Sequence, residues 1–119
     1  MSKYRNRKIT RDGDTFDSVK EYRRWCELKL LERAGEIHDL QRQVKFELIP
    51  AQYETTGFSP TGKAIKKCVE RSCVYVADFA YKDEYGEQYV EDTKGLKTKD
   101  YIIKRKLMRW VHGIGIKEV

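Results

Sequence analysis

Between Val74 and Gly95 the chain reads V-Y-V-A-D-F-A-Y-K-D-E-Y-G-E-Q-Y-V-E-D-T-K-G, two alternating runs rich in tyrosine and valine around a turn whose only glycine is Gly86. Period-two patterning with β-branched and aromatic residues predicts two strands, Val74–Lys82 and Gln88–Lys94, paired as a hairpin. The loop then decides which residues meet. A two-residue loop, Tyr85-Gly86, would set Asp78 opposite Thr93 and send the acids of the two strands to opposite faces. A three-residue loop, Glu84-Tyr85-Gly86, puts glycine at the left-handed position that a type I turn with a G1 bulge requires, and is preferred. It sets Asp78 opposite Asp92 and Val76 opposite Lys94, gathering Asp78, Asp92 and Lys94 on one side of the sheet. Two carboxylates about 4–5 Å apart repel by on the order of 3–4 kcal/mol at an effective dielectric near 20. A hard divalent cation would offset that, since Mg²⁺ is commonly held by one or two carboxylates plus substrate phosphate.

The order of parts carries a resemblance. Phe16-Asp17-Ser18-x-x-Glu21 opens a helix; Ala77-Asp78-Phe79-x-Tyr81 and Glu91-Asp92-Thr93-Lys94-Gly95 follow, then a basic helix. This resembles the PD-(D/E)XK nuclease superfamily and, within it, a small phage-encoded family of endonuclease and junction-resolvase-like proteins, over most of the chain. Ala77 stands where that signature has proline, at a position that varies within the superfamily. The resemblance implies an α/β (α+β) fold with a restriction-endonuclease-like core, a mixed central sheet whose catalytic hairpin is flanked by two main helices. It further implies a metal-dependent endodeoxyribonuclease acting in phage recombination or replication, including on branched, Holliday-type DNA, in the host cytoplasm. Asp78, Asp92 and Glu21 would hold Mg²⁺, with Mn²⁺ as a substitute, and Lys94 would orient the attacking water. Symmetric junction cleavage would need a homodimer, because one chain offers one site.

Composition bounds these expectations. A chain of 119 residues has room for one modest core, and a net charge of +6 favours an anionic partner, here DNA. No apolar run reaches the length of a membrane span and the first residues lack an apolar leader, which predicts a cytoplasmic protein without a membrane partner. The cysteines Cys26, Cys68 and Cys73 are odd in number with no C-x-x-C pair, arguing against a disulfide framework. His38 and His112 lack ligand spacing to them, arguing against zinc.

Along the chain, residues 1–7 read as a flexible arm of a basic segment that runs to Arg11, and Asp12-Gly13 as a turn between two short extended pieces. A helix spans Ser18 to Ala34 and is closed by Gly35, with Val19, Tyr22, Trp25, Cys26, Leu28 and Leu30 turned to the sheet. Two roles compete for Glu21: partner of Ser18 in a capping box, or ligand of the implied metal. Val44-x-Phe46-x-Leu48 predicts a strand beside the hairpin, with Gln43 and Lys45 either contacting substrate or, on the plainer reading, facing solvent. Residues 51–63 read as a mobile loop. Lys63, Lys66, Lys67 and Arg71 after it, and Lys99, Lys104 and Arg105 on a second helix from Thr98 to His112, are the candidate phosphate contacts. Ile102, Ile103, Leu107, Trp110 and Val111 form that helix's expected core face. Two other classes remain open: a non-catalytic basic nucleic-acid-binding module, and a small phage accessory protein whose partner is another protein.

Overall fold

The computed structural model describes residues 8–93 and 96–119. The arm over residues 1–7 and the proposed catalytic Lys94 lie outside the described residues. Strands β1 (Ile9–Arg11) and β2 (Asp14–Phe16) form a hairpin closed by Asp12 and Gly13, both at positive φ, as an Asp-Gly turn demands. Helix α1 (Val19–Arg33) starts where Ser18 Oγ accepts the Glu21 amide at 3.1 Å and stops before Gly35, at φ +81°. The long strand β3 (His38–Ile49) contains the predicted Val44-x-Phe46-x-Leu48 alternation and begins six residues before it.

Residues 51–63, expected as a loop, instead begin a second hairpin. Strands β4 (Gln52–Phe58) and β5 (Ala64–Glu70) pair only with each other, and every residue of β5 is exposed. A two-stranded ribbon standing apart accounts for a radius of gyration of 18.8 Å, against the about 13–14 Å of a compact chain this long. Threonine and aromatic residues favour extended backbone there, whereas the polar, glycine-punctuated composition reads as loop.

The central hairpin follows: β6 (Cys73–Lys82) and β7 (Gln88–Asp92). Gly86 sits at φ +81° and donates to Asp83 O at 3.1 Å, and Asp83 and Glu87 are bridged at 3.0 Å, as the three-residue loop requires. Helix α2 (Lys99–Leu107), capped by Thr98 Oγ1, runs into a π-helical turn (Met108–His112) that Gly113 ends at φ +70°. Strand β8 (Lys117–Glu118) lies parallel to β7, giving a mixed sheet in the order β3-β6-β7-β8. The molecule is thus of α+β class.

Two apolar layers cover the sheet. Leu28 of α1 packs with Ile37, Phe79 and Tyr81, while Tyr101 of α2 and Met108 pack with Leu48, Tyr75, Ala77, Ala80 and Val90 on the other side. Burying Phe79 and Leu28 completely is worth about 1.5–3 kcal/mol each, which fixes α1 on the sheet. The predicted helix faces need correction at their margins: Val19 and Leu30 are exposed on α1, as are Ile103, Val111 and Trp110 beyond it. Met108 follows Tyr101 by seven residues and so shares its buried face, which puts Trp110, two residues on and 86% exposed, on the outward side.

Candidate functional site

The register of β6 and β7, from Lys82↔Gln88 to Phe79↔Glu91, continues to Asp78 beside Asp92, as the loop length predicts. Their hydrogen-bond partners differ, although both carboxylates lie close enough to act on the Tyr75 hydroxyl. On β3, Arg42 faces α1 while Val44, two residues on, packs in the α2 layer; on β6, Ala77 packs in the α2 layer while Phe79 packs against α1. Both strands reverse their pleat at one rung, Gln43 beside Asp78, where Gln43 takes a left-handed φ of +52°. Asp78 therefore faces α1. Asp92 keeps the regular alternation of β7, facing the α2 layer with Val90 and accepting a hydrogen bond from the Tyr75 hydroxyl.

Asp78 meets Glu21. Gln43 Nε2 reaches Glu21 Oε1 at 3.3 Å and Asp78 Oδ1 at 3.4 Å, linking a helix acid to a strand acid through one amide. Asp78 Oδ2 accepts from the Thr93 amide at 2.8 Å and its hydroxyl at 2.7 Å. Glu21 Oε2 accepts the Asp17 amide at 3.3 Å, one residue earlier than a reciprocal capping box would place it. Both competing roles of Glu21 thus have a physical basis: one oxygen serves the helix start, the other faces the strand acid. Arg42 Nη2 supports Glu21 Oε1 at 3.3 Å, with its guanidinium 3.9 Å from the Phe16 ring centre.

Glu21 is only 2% exposed. Burial, and after it the field of Asp78, push its carboxyl above the ordinary glutamate value; the Asp17 amide and Arg42 oppose this incompletely. A buried acid held against a second acid, with Arg42 compensating it only in part, favours a further positive charge. Oxygen donors of this kind suit a hard divalent cation such as Mg²⁺, for which two carboxylates suffice when water and phosphate complete the shell. Among the described residues no three His, Cys, Asp or Glu side chains converge as a metal-binding group. Of Asp78, Asp92 and Glu21, the direct link is that between Glu21 and Asp78, made through Gln43.

Directly beside it lies a group the sequence reading missed. Glu91 is fully buried, clamped by Arg24 Nε and Nη2 at 2.7 Å each and by the Tyr81 hydroxyl. This bridge ties α1 to β7 and so sets where Glu21 stands relative to the hairpin. Lys20, Arg23 and Arg24 of α1 and Thr93 line a cavity of about 370 Å³. Arg24 and Arg23 gave no sequence signal beyond a charged helix surface, and Gln43, weighed as a substrate contact, gave no sign that it would join two acids. Of the candidate phosphate contacts, Lys63, Lys66, Lys67 and Arg71 lie exposed on or beside the β4–β5 ribbon. Lys99, Lys104 and Arg105 lie on α2. His112, at the end of the π-helical turn, pairs through Nε2 with Glu47 O at 2.6 Å and fastens that turn to β3.

No curated protein and no solved structure matches the chain. A family model described as "Protein of unknown function (DUF1064)" matches residues 1–113, nearly the whole length, and this chain belongs to that family.

Proposed function

We propose that the protein is a Mg²⁺-dependent DNA phosphodiesterase, an endonuclease of the PD-(D/E)XK kind, with its site at Glu21 and Asp78. The observation that carries this is the buried Glu21 carboxylate placed against Asp78 by Gln43, in a chain of net charge +6. Carboxylates amid a basic surface repel nucleic acid unless a cation stands between. Glu21 and Asp78 would hold that cation, which when bound lowers the pKa of a coordinated water and neutralises charge on the phosphate. Thr93 holds Asp78 in its orientation through two hydrogen bonds, and Arg24, by its clamp on Glu91, keeps α1 in place. Lys20 and Arg23, around the cavity at Thr93, receive the phosphate backbone. Lys94, two positions after Asp92, takes the water-orienting role that the resemblance assigns it.

The test is incubation of supercoiled, linear, flap and four-way DNA with Mg²⁺, comparing wild type, Glu21→Gln, Asp78→Asn, Asp92→Asn and Lys94→Ala. Cleavage abolished by chelator and by Asp78→Asn supports the proposal. Cleavage that survives both overturns it. A second reading, a non-catalytic DNA-binding module, is favoured by one observation: Asp92 is buried and engaged by the Tyr75 hydroxyl. It predicts no cleavage of any substrate, with DNA affinity held or improved in Asp78→Asn.

A further inference from the structure

A second feature lies at the other end of α2. Arg105, Lys106 and Arg109 surround a cavity of about 270 Å³ whose far wall is the backbone at Gly115 and Ile116. The wall exists because Gly113 reverses the chain and the Ile114 amide returns to Met108 O at 3.3 Å, laying Gly115 against Arg109. The approach is so close that a Cβ at Gly115 would stand 2.5 Å from Arg109 Nη2. Glu118 touches Arg105 at 3.6 Å, but Lys106 and Arg109 have no carboxylate partner among the described residues. Lys106 and Arg109 therefore repel each other across the hollow without a compensating acid among the described residues, and an anion there removes the repulsion. The space accommodates a phosphate group with several waters of about 30 Å³ each. One helical turn past Lys106 stands Trp110, 86% exposed and packed into neither apolar layer, so that its indole face is open to a partner.

We infer that this cavity seats a backbone phosphate of a single DNA strand while a neighbouring base stacks on Trp110. Arginines supply forked donors to the phosphate oxygens, and an exposed indole offers a face that any base can cover. The inference rests on the nucleic-acid reading above but not on cleavage, so the experiment is run in excess chelator and scores binding alone. The full chain is titrated with a thymidine oligomer of about ten nucleotides while tryptophan emission is followed. Expected is saturable quenching that disappears in Trp110→Phe. Arg109→Gln should weaken binding roughly 10-fold and reduce the slope of log affinity against log salt by about 0.7, whereas Arg33→Gln, an equal charge loss on α1, leaves both unchanged. Gly115→Ala is the sharpest variant, because it keeps every charge and displaces only a mobile guanidinium: affinity should fall as in Arg109→Gln, with an unchanged melting temperature. Wild-type affinity in Gly115→Ala, or equal losses in Arg33→Gln and Arg109→Gln, overturns the assignment. So does inorganic pyrophosphate binding as tightly as the oligomer, which would mark a free-anion site, or equal quenching by polyglutamate, which would mark an acidic protein partner.

Discussion

Replacing Arg24 by alanine tests the buried bridge on which the position of α1 depends. Glu91 is fully buried and receives two 2.7 Å bonds from Arg24, whose side chain is 20% exposed. In Arg24→Ala the carboxylate stays buried with Tyr81 as its remaining donor, a loss of about 3–5 kcal/mol. Set against the 5–15 kcal/mol typical of a whole domain, that is about a third of its stability. Glu91→Gln removes the charge but keeps a hydrogen-bonding group, and costs about 1–3 kcal/mol. The two losses should be far from additive, because the second substitution removes the stranded charge that the first creates. pH supplies an independent check. Burial alone would raise the Glu91 carboxyl, but Arg24 and Tyr81 outweigh it and hold it below the ordinary 4.5. With the folded value depressed, the stabilisation is present above that pH and is lost as pH falls through the folded value. In Arg24→Ala, burial acts with one opponent fewer and the sign reverses, so the gap between variant and wild type should be widest near pH 7 and shrink below about pH 4. Urea denaturation followed by circular dichroism across that range measures both effects. A penalty under about 1 kcal/mol at pH 7, the size of a surface pair, or one that does not vary with pH, would refute the assigned burial and pairing.

Glu21→Gln should be at least as stable as wild type near pH 7, because burial and Asp78 raise the carboxyl and make its ionised form unfavourable. Stability from a raised acid is present below its unfolded value and lost as pH rises, so the advantage should vanish below about pH 4 in melting curves, while Mg²⁺-dependent cleavage is lost throughout. Gly86→Ala, at φ +81°, should cost about 1–2 kcal/mol, and Gly86→Asn less, measured by urea midpoint. Thr98→Ala removes the acceptor of the Tyr101 amide at 3.1 Å and should cost about 1 kcal/mol by the same measurement, with helical content falling near α2.

The legible parts of this chain were those encoded within a few residues. Asp12-Gly13, Ser18, Gly35, Gly86, Thr98 and Gly113 mark turns and caps through backbone conformations that neighbouring chemistry imposes, and each stands where expected. The hairpin register was legible for the same reason, since a three-residue loop admits one pairing. Glu21 and Asp78 do come together, but their meeting through Gln43 was not readable. A shared pleat reversal at Gln43 and Asp78 leaves no mark in either strand alone. The β4–β5 ribbon was missed because its polar composition resembles a loop's, and its strands are held by each other rather than by an apolar face.

Local composition, then, settled an α+β class, the capped helices and the central hairpin, because those depend on dihedral preferences and short-range hydrogen bonds. Tertiary structure alone decided which acids share a site, which of them is clamped by Arg24, and why Trp110 faces water. Each of these depends on partners far apart in the chain, 67 positions in the case of Arg24 and Glu91, and on small backbone departures whose energy is repaid only after the layers have packed.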